Sequence, residues 1–488
     1  MSDLSLLPTQ SLRDALADCT VPTSSPHAAF TNWANTFSCR PQLLLEPRNV
    51  HQCALAFELA RREGKQVRAV GVGHSPSDLA CIDEGYMLRT TKLDKILTID
   101  REKCFVVAEA GITLDRLNTA LGIMGLAVSN LGSISEQTLA GVITTATHGS
   151  GINYGVLSTY VLALSLLLAD GKIVRCSPTE NHDLFKASLC GLGCTGLLLT
   201  VTLQVEPAFH LKEVSNTIGL DETIENLDEL AGSGQHVRMW WFPQTDKVRI
   251  NALDRTTEAR QRHFPKQVTE SWFWEYVVGY HLLQFLLFLS LWLPDLVFLV
   301  GRIKVWLIGG KSVRIDDSHK VFNLDCSFRQ YTSEWSIPYE RSRSCLQELR
   351  SLFDREHSHR SGARAHFPVE IRFSSQDDIW LSPSYGQKTT WIGIIQYKPY
   401  GFNSPYRKLF GSFEKIMLKH GGRPHWAKSH SMAPQDLKRM YPRFEDFVQV
   451  LEEVDPRGML RNSYVQRHIF GKQDSQFDAS KFKPRHRL

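Results

Sequence analysis

Three stretches of glycine and small hydroxyl residues lie ahead of Pro207, and together they constrain this chain more than any other feature. The first, Gly71-Val72-Gly73-His74-Ser75-Pro76-Ser77, follows the apolar run Val67 to Val70 directly. Glycines straight after a strand let the backbone turn tightly and aim its N–H groups at a pyrophosphate, with Ser75 and Ser77 as hydroxyl donors. The spacing is not GxGxxG opening a helix with an acidic residue about 20 positions on. Taken alone, an ordinary glycine turn accounts for this loop equally well. The second stretch contains Asn130, Gly132 and Ser133 and continues through Gly141, Thr144, His148 and Gly149. The third, Gly191-Leu192-Gly193-Cys194-Thr195-Gly196, offers another close backbone approach. Small hydroxyl-bearing surface of this kind fits against a flat ring and its polar edge. Three such stretches in one region imply a large ligand.

The intervening sequence mixes helices and strands. Ala54, Leu55, Leu59 and Ala60 recur at helical spacing between Asn49 and Arg62, and Gly64 follows where a helix stops. Cys104 to Glu109 reads as a strand, Thr113 as the cap of a helix beginning at Leu114, and Asp170-Gly171 as a tight hairpin turn. A last strand, Leu197 to Val205, closes this half before Pro207. With 488 residues the chain is too long for one ordinary core, so two domains are expected.

Charge and cysteine usage exclude several classes. The net charge of +5 is spread over interspersed acidic and basic residues, which argues against nucleic acid as a partner. A basic run, Lys481 to Arg487, reads as a solvated tail, with contact to anionic lipid as the alternative. The ten cysteines form no CxxC pair, so no metal is expected and a reducing environment fits. Met1 to Pro26 lacks the pattern of a secretory signal and reads as part of a flexible leader.

Beyond Pro207 the composition changes. Tyr276 to Pro294 contains no Asp, Glu, Lys or Arg, and a second apolar run, Leu296 to Val300, follows. His281, Gln284 and the break at Pro294-Asp295 argue against a membrane-spanning helix. A helical pair lying in a membrane interface, anchored by Trp272, Trp274, Tyr276 and Trp292, and a pair of core helices fit this pattern equally. Val369-Glu370-Ile371-Arg372-Phe373 alternates, so a strand directs Glu370 and Arg372 to one face and the three apolar residues to the other. An exposed ion pair is the commonest meaning of such alternation.

Six separated segments, Asn32-Trp33-Ala34, Gly71 to Asp78, Asn130 to Gln137, His148 to Gly151, Val369 to Phe373 and His425-Trp426-Ala427-Lys428, together resemble the aldonolactone oxidases of the vanillyl-alcohol-oxidase type. The resemblance runs from about Trp33 to Tyr464. It implies an α+β, two-domain flavoprotein: a leader (1–28), an FAD-binding domain (29–207), a substrate or cap domain (208–470) whose C-terminal segment packs back on the first, and a basic tail (471–488).

The implied cofactor is FAD, bonded covalently through His74 and cradled by Gly71, Gly73, Ser75, Ser77, Asn130, Gly132, Ser133, Gly141, Thr144, His148, Gly149 and Gly196. The implied reaction is oxidation of L-gulono- or D-arabinono-1,4-lactone at C2, with molecular oxygen as acceptor. Hydrogen peroxide and ascorbate or erythroascorbate are the products. Glycine at position 132, where relatives that avoid oxygen carry alanine, matches the oxidases. Arg372 is assigned to the substrate oxygen at C2, Glu370 to orienting the hydroxyls and taking the C2 hydroxyl proton, and Lys428 to a cation near substrate and flavin. His425 is either a second proton acceptor or a packing residue. The resemblance also implies an intracellular membrane, mitochondrial or endoplasmic reticulum. Two rival readings are an alditol or sugar oxidase of the same fold, and a membrane-bound interaction protein without activity.

Overall fold

The structure is a computed structural model that describes residues 4–263, 273–324, 326 and 328–472. Trp272, the side chain of Trp274 and most of the basic tail, 473–488, lie outside these residues.

The N-terminal half places two sheets around the helix Val50–Arg62. Asn49 caps that helix by accepting a hydrogen bond from the Gln52 N–H, and Gly64, at φ +62°, lets the chain leave it. One sheet orders the strands Thr20–Val21, Leu43–Leu45, Tyr86–Arg89 and Val67–Val70, the last two parallel to one another. The other is antiparallel, running Ile173–Cys176, Val161–Leu167, Leu197–Gln204, Phe105–Glu109 and Ile96–Asp100. The expected hairpin forms at Asp170-Gly171, with Gly171 at φ +88°. Helix Leu114–Ile123 begins at Thr113, whose hydroxyl accepts from the Arg116 N–H.

The second half is built on one nine-stranded sheet. Its spatial order is Gln261–His263, Ser312–Asp317, His210–Gly219, Lys247–Thr256, His236–Phe242, Val369–Ser374, Thr389–Tyr397, Gln330–Pro338 and Arg423–Pro424. Val369, Ile371 and Phe373 are completely buried in the main core, as their alternation requires. Helix Ser342–Ser358 packs on this side, with Phe353 edge-on to Trp241 at 5.1 Å. The opposite side carries Trp240 and Glu370, which sit directly across from one another on neighbouring strands.

The uncharged region folds as a helical hairpin, Phe273–Leu282 continuing into Leu283–Leu289, then Leu296–Ile308. Leu283, Leu287, Val300 and Leu307 join Phe242, Phe328 and Phe367 in a second, smaller core. Full burial of each such side chain contributes about 1.5–3 kcal/mol. The outer faces of the same helices leave Tyr276, Phe285, Trp292, Leu293, Leu299 and Trp306 exposed. The core-helix alternative therefore describes the inner face of this region. Among the described residues, no helix is long and apolar enough to cross a membrane.

One expectation is corrected. Residues 1–28 are not a flexible leader over the part that is described. Thr9–Leu16 forms a helix against Val50–Arg62, with Leu12 and Leu16 fully buried and Arg13 paired to Glu63 at 2.6 Å. Apolar residues four apart give a short helix one buried face, and the leader supplies such a pair. At the other end the chain returns to the first half. The Val67 N–H donates to the Met459 carbonyl at 2.7 Å, Asn462 donates to the carbonyls of Leu79 and Cys81, and Arg467 pairs with Asp78.

Candidate active site

The three glycine-rich stretches converge on one narrow cleft. Strand Val67–Val70 delivers Arg68, which is buried and donates to the carbonyls of Leu192 and Gly193, tying the third stretch to the start of the first. Thr138 caps the short helix Leu139–Thr144 and lies so close to Gly71 that a Cβ there would come 2.3 Å from its hydroxyl oxygen. Gly73 adopts φ +78°, a conformation L side chains rarely take. The Asn32-Trp33-Ala34 segment clamps this loop. The Trp33 N–H donates to the Gly73 carbonyl at 2.8 Å, the Asn32 amide donates to the Ser75 carbonyl at 3.0 Å, and the Trp33 ring stacks on His74.

Gly71, Gly73, His74, Ser75, Gly141, Thr144 and Gly196 line this cleft of about 110 Å3. Glycine backbone and small serine, threonine and alanine side chains make up much of its wall, with Arg68, Leu79, Gln137 and Leu197 completing it, a surface along which an extended dinucleotide can lie. A second cavity of about 670 Å3, within the size range of ligand sites, lies under the helical hairpin and is walled by Trp33, Ser133, Glu370 and Lys428 among others. His74 lines both cavities. Its Nε2 faces the exposed carboxylate of Glu136 at 3.1 Å, whereas its Nδ1 is buried without a hydrogen-bond partner among the described residues. Burial lowers the His74 pKa against the opposing pull of Glu136. A buried, unpaired ring nitrogen where the two cavities meet fits attachment to a flavin that spans them.

Five expected cofactor contacts line neither cavity. Ser77 is buried and donates to the Ala427 carbonyl at 3.0 Å, so its hydroxyl joins the two halves of the chain. Asn130 is packed against Gly149, where a Cβ would come 2.2 Å from the amide oxygen. Gly132 sits beside the His148 carbonyl, 3.3 Å from where its Cβ would be. His148 is buried, stacks on Trp391 at 3.9 Å and 10°, and bonds Glu334 at 2.8 Å. These residues form the support behind the cleft. Proximity in sequence to a glycine-rich loop does not distinguish wall from support, because that depends on which side the rest of the chain covers.

The Glu370/Arg372 pair is not an exposed one. Arg372 is only 3% exposed and is ion-paired to Glu370, with a further hydrogen bond to Ser133 Oγ across the domain boundary. Its Nε is buried and unpartnered among the described residues. A guanidinium carries five donors in a rigid fork, so it holds these two neighbours and keeps a donor in reserve. Lys428 comes from the segment after the edge strand Arg423–Pro424, and its ammonium is 3.5 Å from Glu334. His425 is buried, its Nδ1 accepts from the Ala427 N–H at 3.1 Å, and burial pushes its pKa down to about 3.

Motif reading missed Glu334 and Trp391. An acidic residue in the otherwise uncharged run Tyr331 to Pro338 was the available signal for Glu334. Glu334, His148 and His425 offer ligand atoms within 4.8 Å of one another. Lys428 already provides Glu334 with an opposing charge and His148 with a hydrogen-bond partner, so the carboxylate is satisfied by the protein's own side chains.

With the geometry in hand, comparison with known proteins is decisive. Residues 201–468 match the D-arabinono-1,4-lactone oxidase family model, and residues 41–177 match an FAD binding domain. The chain is 43% identical to L-gulonolactone oxidase of Scyliorhinus torazame, covering 90% of this chain and 98% of that one. It is 33% identical to a putative D-arabinono-1,4-lactone oxidase of Neurospora crassa, covering 90% of this chain and 85% of that one. A cholesterol oxidase crystal structure from B. sterolicum superposes with a TM-score of 0.75 at 16% identity, over 91% of this chain and 98% of that one, so the two-domain flavoprotein fold is shared. An FAD-binding half joined to a lactone-oxidase half, over a cleft and cavity that meet at His74, makes this chain a member of the aldonolactone oxidase family, FAD-dependent enzymes that oxidise sugar 1,4-lactones.

Proposed function

We propose that this enzyme oxidises L-gulono-1,4-lactone in preference to D-arabinono-1,4-lactone, on an FAD bonded covalently to His74. The observation that carries the proposal is His74, shared by the cofactor cleft and the substrate cavity with one buried ring nitrogen unpaired. The higher identity to an L-gulonolactone oxidase than to the fungal relative supports the substrate choice. Bound FAD supplies the acceptor for the hydride equivalent leaving C2 and, through oxygen, the route to hydrogen peroxide.

The chain's own residues do the rest. Arg372, which stands behind Glu370 and does not itself line the cavity, is assigned to the oxygen on C2, where negative charge develops, with its buried, unpartnered Nε as the donor in reserve. Glu370, set beside it on the same strand face, orients the hydroxyls and accepts the C2 hydroxyl proton. Ser133 fixes the guanidinium from the FAD-binding half. Lys428 supplies the fixed cation of the cavity wall. His425 is assigned to packing, because its acceptor nitrogen is already used and burial keeps it neutral. The exposed aromatic and leucine side chains of the helical hairpin are the surface offered to an intracellular membrane interface, mitochondrial or endoplasmic reticulum.

The test is a denaturing gel viewed for flavin fluorescence, comparing wild type with His74→Ala. A fluorescent wild-type band that disappears in the variant is expected; a dark wild-type band removes the covalent assignment. A kcat/KM ratio favouring the five-carbon lactone removes the substrate assignment.

A further inference from the structure

We propose that Glu334 is a positioning residue that holds Lys428 as a fixed cation on the cavity wall, with His148 as the partner of its other oxygen. The proposal rests on the assignment of Lys428 to the substrate and flavin side of the cavity.

Glu334 is buried, and both of its oxygens are used. Oε1 faces His148 Nε2 at 2.8 Å and Oε2 faces Lys428 Nζ at 3.5 Å. Burial alone raises a carboxyl pKa, yet His148 and Lys428 hold Glu334 well below the usual carboxylate range. The other ring nitrogen of His148, Nδ1, faces the Gly149 carbonyl at 3.0 Å. The ring lies flat against Trp391 at 3.9 Å, which fixes its plane. His425 adds no charge to this group, since burial keeps it neutral and its Nδ1 is an acceptor. Lys428 is the fixed cation beside Glu334.

The backbone makes the arrangement stiff. The His425 N–H donates to the Glu334 carbonyl at 3.0 Å, and the Lys428 N–H donates to the His425 carbonyl at 2.9 Å. Glu334 and its lysine are therefore linked through main chain as well as side chain. Across the sheet, Gly393 pairs with Glu370 on one side and Glu334 on the other, so the two carboxylates stand in one row with no side chain between them. Two strand spacings separate them, roughly 10 Å. Glu370 has Arg372 as its cation, and Glu334 has Lys428, with His148 on its other oxygen. Without Glu334, Lys428 is free to turn across this gap toward Glu370. Glu334 keeps the two pairs separate and leaves the space over Gly393 to a sugar ring.

The experiment is a double-mutant cycle on the FAD-loaded enzyme, using Glu334→Gln, Lys428→Met and the pair. Two quantities are read: kcat with KM, and the midpoint potential of the bound flavin by equilibrium reduction against a reference dye, which needs no turnover. Displacing a catalytic group by about 1 Å costs roughly 100-fold in rate, so E334Q is expected to lose about that much kcat. The double variant should be no slower than K428M alone, and E334D should recover part of the loss. The potential supplies the sign. A lysine released from its post lowers the flavin potential in E334Q as in K428M, whereas simple removal of a nearby negative charge raises it.

A raised potential in E334Q, or losses that multiply in the double variant, overturns the proposal while leaving the Lys428 assignment intact. A K428M enzyme with unchanged kcat and potential overturns both. Where E334Q fails to load FAD, E334D replaces it in the same cycle, with a smaller loss of kcat and a lowered potential expected.

Discussion

Arg372→Met is the substitution whose consequence the structure specifies most fully. The guanidinium is 3% exposed, holds Glu370 and Ser133, and has its Nε unpaired. A donor aimed at developing negative charge in a site that excludes water is worth about 2.7–4 kcal/mol. At about 1.4 kcal/mol per tenfold, the rate of substrate oxidation should fall roughly 100- to 1000-fold. Methionine also leaves the part-buried Glu370 without its cation, a separate cost to stability of about 1–3 kcal/mol. The two effects are separated by adding Glu370→Gln, which removes the stranded charge and restores stability without restoring rate. Lysine is no substitute, because one compact ammonium does not reproduce the fork that reaches Glu370, Ser133 and a third acceptor together. The assay is anaerobic rapid mixing with L-gulono-1,4-lactone, following loss of the oxidised-flavin band. A folded Arg372→Met enzyme whose flavin is reduced within about threefold of the wild-type rate refutes the reasoning, since that is only about 0.6 kcal/mol.

Two further outcomes follow from burial. His236, His366 and His425 have pKa values pushed down by burial to about 4, 3 and 3, against roughly 6.5 in an unfolded chain. Below about pH 6.5 the unfolded chain takes up protons that the native one refuses, so their contribution to stability is complete above that pH and lost as pH falls toward these values. Each group gives a slope of up to about 1.4 kcal/mol per pH unit, and denaturant midpoints that rise between pH 6.5 and 5 would falsify this account. For the helical hairpin, replacing the exposed Phe285 and Trp292 by serine should reduce co-flotation with phospholipid vesicles about tenfold or more, since each apolar side chain withdrawn from an apolar layer is worth about 1.5–3 kcal/mol. Equal flotation of both proteins would count against an interfacial role.

The local chemistry of this chain was legible residue by residue. Asn49 and Thr113 cap their helices, Asp170-Gly171 makes its hairpin, and Val369 to Phe373 alternates as its strand demands. Each of these depends on interactions within a few positions, so a short window of sequence contains the cause. The six ordered motifs carried the family for the same reason, since each is a local requirement for tight backbone or for a particular side chain.

What surrounds each element was decided elsewhere. Alternation placed Glu370 and Arg372 on one face, but the helical hairpin beyond Tyr276 and the loop of Ser133 made Glu370 part of a cavity wall and buried Arg372 behind it. The same coverage put His148 and Ser77 behind the cleft and docked Leu12 and Leu16 of the leader into the core. Glu334 meets His148 from 186 positions away, through strand neighbours that no single stretch specifies. The sequence by itself determined the locally encoded elements and the cofactor class, and it named the candidate side chains. Only the tertiary structure decided which polar groups lost their water, and that loss separates an exposed ion pair from a buried one.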